Sequence, residues 1–175
     1  MSGVDFYRVS DRRFPALYFG PRTPPVYRYD DPAMMFGTTY MGGTLEVGFV
    51  ETLLRNPRLR GVSQKDIDRR VWVTVTANRP LRMVDFCGAG LSRVGTTAAV
   101  NTGPYAISRV WAAALYSHPD APDGIVYLSR HNPSAGWCLA VFDRAAPALT
   151  AGLAQTFDPG WVAATLSRYG KALLP

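Results

Sequence analysis

The sequence predicts a single domain of the α+β or mixed α/β class. Two observations carry that prediction. Short stretches with the two-residue period of strands, at Val71–Thr76, Gly124–Ser129 and Trp137–Phe142, are interspersed with segments of helical period, yet without the regular strand-helix alternation of a doubly wound sheet. The 16 glycines and 14 prolines among 175 residues keep every element short and add many turns. With 47% hydrophobic and 18% charged residues, the chain has apolar material for one sizeable core, and its length suits one domain.

The elements follow in order. Asp5–Val9 reads as a strand, and Asp11–Pro32 as a proline-bearing loop long enough to border a site. Met34–Tyr40 is expected to be extended. Thr44–Arg55 is expected to be helical, with Thr44 as its cap and Asn56-Pro57 as its stop. Ser63 caps a short helix to Arg70, with Asp66 and Asp68 early in it, and Val71–Thr76 alternates as a strand. Leu81–Phe86 is a further strand, followed by a turn at Gly88–Gly90 and a short helix. Gly103-Pro104 opens the helix Tyr105–Tyr116, whose Ile107, Val110, Trp111 and Leu115 lie around most of its circumference and predict that it is buried. Gly124–Ser129 and Trp137–Phe142 are late core strands. Asp158-Pro159, a cap followed by proline, starts a last helix ending near Gly170-Lys171.

Composition excludes several classes. No uninterrupted apolar run, Trp137–Phe142 included, approaches the roughly 20 residues of a membrane span. Asp5 and Arg8 stand where a signal peptide needs an apolar stretch, so a cytoplasmic protein is expected. Cys87 and Cys138 lack metal-ligand spacing and sit in apolar contexts, which predicts buried, inert thiols and no metal site. The net charge of +6 is almost wholly arginine, for only Lys65 and Lys171 are lysines. Arginine is a forked phosphate and carboxylate binder, and its scatter here argues against direct nucleic-acid binding. Gly88-Ala89-Gly90 imitates a dinucleotide loop, but Arg93 occupies the place of the third glycine.

What remains is a set of polar residues inside apolar segments, where burial is costly unless they are paired or used. They are Arg8 in FYRVS, Arg28 in VYRYDDP, Tyr40 in GTTYMGG, Glu51 in GFVETLL, and Ser129 with Asn132 in IVYLSRHNP. Glu51 falls about 40° from Val47 and about 60° from Leu54 on a helical projection. That edge position suits either a cleft carboxylate or an ordinary ion pair with Arg55 one turn on. Ser129 shares a strand face with Ile125 and Tyr127, as a core hydroxyl would. Arg8 and Arg28 have Asp30 and Asp31 as candidate salt-bridge partners.

These segments, together with LRMVDFCGAGL and TGPYAISRVWAAAL, resemble the RES domain family, named for its arginine, glutamate and serine. The likeness covers nearly the whole chain, so the resemblance implies one RES-type domain over residues 1–175. Its most discriminating parts are the gap-free spacing of 11 residues from Tyr40 to Glu51 and the Tyr127-Leu128-Ser129-Arg130 strand. Arg8 matches the family's opening arginine, Arg28 its second arginine, Tyr40 and Glu51 its tyrosine and glutamate, and Ser129 its late serine, with Asn132 a weaker match. Asp30 and Asp31 depart from the family's asparagine.

The resemblance implies a split mixed sheet like that of the ADP-ribosyltransferase fold and a toxin that degrades NAD+. On that pattern Glu51, Arg8 and Ser129 are catalytic, while Arg28, Tyr40 and Asn132 bind substrate. It further implies NAD+ as substrate rather than cofactor, inorganic phosphate or water as acceptor, and an Xre-like antitoxin as partner. An ADP-ribosyltransferase acting on a macromolecule and an inactive basic binding module are the other readings open at this point.

Overall fold

The computed structural model describes residues 5–20, 24–132, 134 and 136–175; positions 21–23 of the expected Asp11–Pro32 loop lie outside them. The strands are β1 (Asp5–Asp11), β2 (Thr38–Gly42), β3 (Gly61–Ser63), β4 (Arg70–Ala77), β5 (Met83–Phe86), β6 (Gly124–Leu128), β7 (Trp137–Phe142), β8 (Leu149–Ala151) and β9 (Ala172–Leu174). The helices are α1 (Leu45–Leu53), α2 (Gln64–Asp68), α3 (Ala89–Val94), α4 (Ala99–Thr102), α5 (Tyr105–Tyr116) and α6 (Pro159–Arg168). No helix among the described residues is long and apolar enough to cross a membrane.

Seven strands form one mixed sheet in the order β5-β6-β7-β2-β1-β4-β8, in which β5 and β6 run parallel and the other neighbours antiparallel. A separate parallel pair joins β3 to β9. The large sheet is split at its middle. Tyr7 opposite Gly42 is the one paired position between β1 and β2, whereas β1 and β4 pair along seven positions and β2 and β7 along five. The protein is thus a mixed α/β domain of two half-sheets, β5-β6-β7-β2 and β1-β4-β8, meeting at a narrow seam.

Alternation along β7 shows how the layers close. Leu139 and Val141 pack with Phe6, Val73 and Val75 on one face, while Ala140 and Phe142 pack with Tyr29, Phe86, Ala112 and Leu115 on the other. A strand covered on both faces needs the continuous apolar run that the sequence supplies there. A third cluster, with Phe49, Val50, Ile67, Val162 and Leu166, joins α1, α2 and α6.

The three expected caps are in place. Thr44 accepts from the Val47 amide at 3.2 Å, Ser63 from Asp66 at 3.1 Å and Asp158 from Trp161 at 2.7 Å, each worth about 1 kcal/mol. Gly42 lets α1 start directly against β2, for a Cβ there would stand 2.6 Å from the Gly48 nitrogen. This close approach lays Glu51 along the seam.

Two expectations are corrected. Helix α5 is buried on one side only, through Ser108, Ala112 and Leu115, while Ile107 and Val110 are 40% and 67% exposed. The buried polar position is occupied because Ser108 donates to the Val100 carbonyl and accepts from Arg28. The extended segment begins at Thr38, not Met34, because Asp31 gathers the amides of Ala33, Met35 and Phe36 into a turn.

Candidate active site

A cavity of about 420 Å³ opens along the seam, and Arg8, Arg28, Tyr40 and Glu51 all line it. They come from β1, from the loop before β2, from β2 and from α1. Ser129 and Asn132 stand behind Glu51 rather than in the cavity wall.

Glu51 is held from one side. The Ser129 hydroxyl, fully buried just past β6, donates to Oε1 of Glu51 at 2.7 Å, and the Asn132 amide donates to that hydroxyl at 3.2 Å. Asn132 Nδ2 donates to the Tyr169 hydroxyl at 2.6 Å, and that hydroxyl donates to Glu46 at 2.8 Å. Glu46 also pairs with Arg168, so a hydrogen-bonded relay ties Glu51 to the end of α6. Oε2 of Glu51 has no hydrogen-bond partner among the described residues. The surface pairing with Arg55 does not form; the Arg55 guanidinium lies 5.3 Å over the ring of Tyr27 instead.

Arg8 and Arg28 differ in how they are set. Arg8 is buried and spans the seam, its Nη1 donating to the Tyr40 carbonyl at 3.3 Å. Nη1 of Arg28 donates to the Gly103 carbonyl at 2.9 Å, to Ser108 Oγ at 3.0 Å and to the Val100 carbonyl at 3.4 Å. The guanidinium sits 4.6 Å over the Tyr105 ring. All three hydrogen bonds run from Nη1, and the residue lines the cavity. The candidate partners Asp30 and Asp31 are engaged elsewhere. Asp30 accepts from the amides of Val26 and Tyr27 and from the Tyr40 hydroxyl, and Asp31 caps the turn before β2.

Tyr40 is fixed through its hydroxyl, which accepts from the Tyr29 amide at 3.0 Å and donates to Asp30 at 2.9 Å. Burial, and then the Asp30 charge, push this phenol well above its ordinary pKa. Burial does the same to Tyr127 and to the Cys138 thiol, both in the cavity lining, so these groups stay protonated at neutral pH. Cys87, half-buried near Asp85, is pushed up to about 11 by burial first. Neither thiol has the depressed pKa of a nucleophile. Among the described residues no three His, Cys, Asp or Glu side chains are gathered so as to hold a metal.

Sequence reasoning missed a second group of lining residues. Asp11, 4% exposed, accepts from Arg13 at 3.0 Å and from Arg69 at 2.9 Å, with Arg70 at 4.0 Å. The Arg13 hydrogen bonds hold its carboxyl far below the usual range. The Arg12-Arg13 and Arg69-Arg70 doublets were the available signal, but their convergence depends on the Asp11-to-Arg70 register between β1 and β4.

A split mixed sheet whose seam brings arginines and one open carboxylate oxygen into a single cavity defines a mixed α/β protein with an anion-accepting cleft. Residues 5–164 match the RES domain family, and the chain belongs to it. Over 77 residues it is 38% identical to a protein of Sinorhizobium fredii named "Probable toxin y4kH". That stretch is 43% of this chain and 59% of the relative, so the likeness spans less than two thirds of that protein's length. The fold also matches a chain in the crystal structure of the M. tuberculosis MbcT-MbcA toxin-antitoxin complex. The TM-score is 0.72 over 93% of this chain and 88% of that one, at 16% identity.

Proposed function

We propose that this protein is an NAD+-degrading toxin that cleaves the bond between nicotinamide and ribose, with phosphate or water as acceptor. The observation that carries this reading is the Glu51 carboxylate, fixed through one oxygen by Ser129 and open at the other, in the cavity that Arg8 and Arg28 line. When neutral nicotinamide leaves with the bonding electron pair, the ribosyl carbon takes on oxocarbenium character. A fixed carboxylate stabilises that charge where it develops. Arg8 and Arg28 bind the pyrophosphate by charge-assisted hydrogen bonds and orient the reacting ribose. Attack by phosphate yields a 1″-phosphorylated ADP-ribose; attack by water yields ADP-ribose and a proton.

On this reading the seam is the counterpart of the cleft in an ADP-ribosyltransferase-like fold, with NAD+ lying between the half-sheets. The name of the Sinorhizobium relative and the toxin-antitoxin complex among similar folds support a toxin neutralised by an antitoxin, and the Xre-like character of that partner is part of this proposal. A chain of net charge +6 suits an acidic segment of such a partner.

The test is purified protein with NAD+, with and without phosphate, followed by phosphorus NMR. A sugar phosphate formed only with phosphate identifies a phosphorylase, and ADP-ribose in both samples a hydrolase. Intact NAD+ in both overturns the proposal, and label transferred from NAD+ to macromolecules in a lysate redirects it to transfer.

A further inference from the structure

The cavity has two ends. Ser129, which holds Glu51, follows Leu128, and the pairings Leu128 to Trp137, Cys138 to Gly42 and Gly42 to Tyr7 place it at the Tyr7 end of β1. Asp11 lies four residues further along β1, about 13 Å at the rise of a strand. Arg8 sits between these two ends.

Two kinds of surface meet at the Asp11 end. Arg13, Arg69 and Arg70 surround one carboxylate, which leaves a surplus of two positive charges on guanidiniums whose side chains are 67%, 44% and 28% exposed. Nε of Arg70 has no acceptor among the described residues. Beside the triad, the rings of Phe14 and Tyr18 stack at 5.3 Å and 27°, with the Arg13 guanidinium 5.9 Å from the Phe14 ring. Both rings line the same cavity as the three arginines. Flat apolar rings next to uncompensated guanidiniums suit a heteroaromatic base attached to a phosphorylated sugar.

We infer that the Asp11 end is an adenosine subsite whose Arg13-Arg69-Arg70 triad binds a 2′-phosphate, so that the cleft accepts NADP+ as well as NAD+. This rests on the reading of the cavity as a dinucleotide site. The reacting ribose lies at Glu51, the pyrophosphate at Arg8, and the adenine against Phe14 and Tyr18. The adenosine 2′-oxygen then faces the triad. A phosphate monoester dianion matches the surplus of two charges, and guanidinium is the group that discriminates a 2′-phosphate from a bare hydroxyl.

Calorimetric titration of the full chain with 5′-AMP and with adenosine 2′,5′-bisphosphate at low salt tests the site without turnover. The bisphosphate is expected to bind at least about tenfold more tightly, and Arg69→Gln and Arg70→Gln to reduce that ratio to within about threefold. In turnover, the same variants lower the ratio of kcat/KM for NADP+ to that for NAD+ at least about tenfold. Equal affinity of the wild type for the two nucleotides overturns the inference, whether or not the variants fold. So does a ratio that Arg69→Gln and Arg70→Gln leave unchanged. Inorganic phosphate binding that Arg69→Gln abolishes, without any preference for the bisphosphate, makes the triad a free-phosphate site and likewise overturns it. If neither dinucleotide is cleaved yet the bisphosphate preference persists, the subsite stands and the proposed reaction fails.

Discussion

Ser129 Oγ lies 2.7 Å from Oε1 of Glu51, 78 residues earlier in the chain, and this contact fixes which carboxylate oxygen faces the cavity. Removing the hydroxyl frees the carboxylate to rotate without removing its charge. Ser129→Ala is expected to lower kcat by about 10- to 100-fold while KM for NAD+ changes less than about threefold. Steady-state kinetics check it, and a change confined to KM would sink the positioning role.

Glu51→Ala removes the charge itself. Turnover is expected to fall at least about 100-fold, with the thermal unfolding midpoint close to that of the wild type because the carboxylate makes a single hydrogen bond among the described residues. Near-normal turnover in a folded Glu51→Ala protein removes this residue from the mechanism.

Arg28 serves the fold and the ligand together. Its buried guanidinium satisfies the carbonyls of Val100 and Gly103 and the hydroxyl of Ser108, so Arg28→Ala is expected to cost about 3 kcal/mol of stability as well as affinity for NAD+. Urea unfolding of Arg28→Ala beside Arg8→Ala checks this, and unchanged stability in Arg28→Ala would contradict the packing.

The acid limb of stability is expected to depend on Asp123. Arg79 grips both of its oxygens at 2.7 and 2.8 Å and the Arg82 amide adds a third bond, which holds the carboxyl below its ordinary range. A carboxyl depressed by folding contributes its full stability above the unfolded value of about 3.9 and loses it as pH falls through the folded value. Urea midpoints of the wild type should therefore drop below about pH 4, and Asp123→Asn should be less stable at pH 7 with a flatter acid limb. Parallel limbs for the two proteins would refute the assignment.

Tyr169 reaches the site through Asn132. Burial pushes the Glu46 carboxyl up, but the hydrogen bonds from Arg168 and Tyr169 outweigh it and hold the pKa low. Tyr169→Phe removes the hydroxyl that joins Asn132 to Glu46 and is expected to cost about 1 kcal/mol of stability and several-fold in kcat. An unchanged kcat would leave the relay structural only.

Local signals were legible in the sequence and long-range ones were not. Thr44, Ser63 and Asp158 cap helices because a cap is decided within four residues. The run Trp137–Phe142 became a strand covered on both faces for a similarly local reason. The three-residue strands β3, β8 and β9 escaped notice because partners far along the chain create them. Apolar content around α5 overstated its burial, since Ile107 and Val110 carry no mark of the side on which the sheet lies. At the site, residue types pointed to Arg8, Arg28, Tyr40, Glu51 and Ser129 through the family pattern. Periodicity alone left Glu51 between a cleft and a pairing with Arg55, because the hydroxyl that decides it comes from the other half of the chain. The Asp11 triad was invisible for the same reason.

With Tyr7-to-Gly42 as the one pairing between β1 and β2, the half-sheets are joined at that edge mainly by side chains, Phe6 and Val73 packed on Leu139 and Val141 among them. Apart from the chain crossing from β2 through α1 and the Arg8 side chain, little main-chain hydrogen bonding holds the half-sheets edge to edge. A dinucleotide in the cleft would act as a suture across that gap, and anything that wedges it open would disable the site without touching Glu51. An inhibitor of this protein therefore has two routes: to fill the cleft, or to pry it apart.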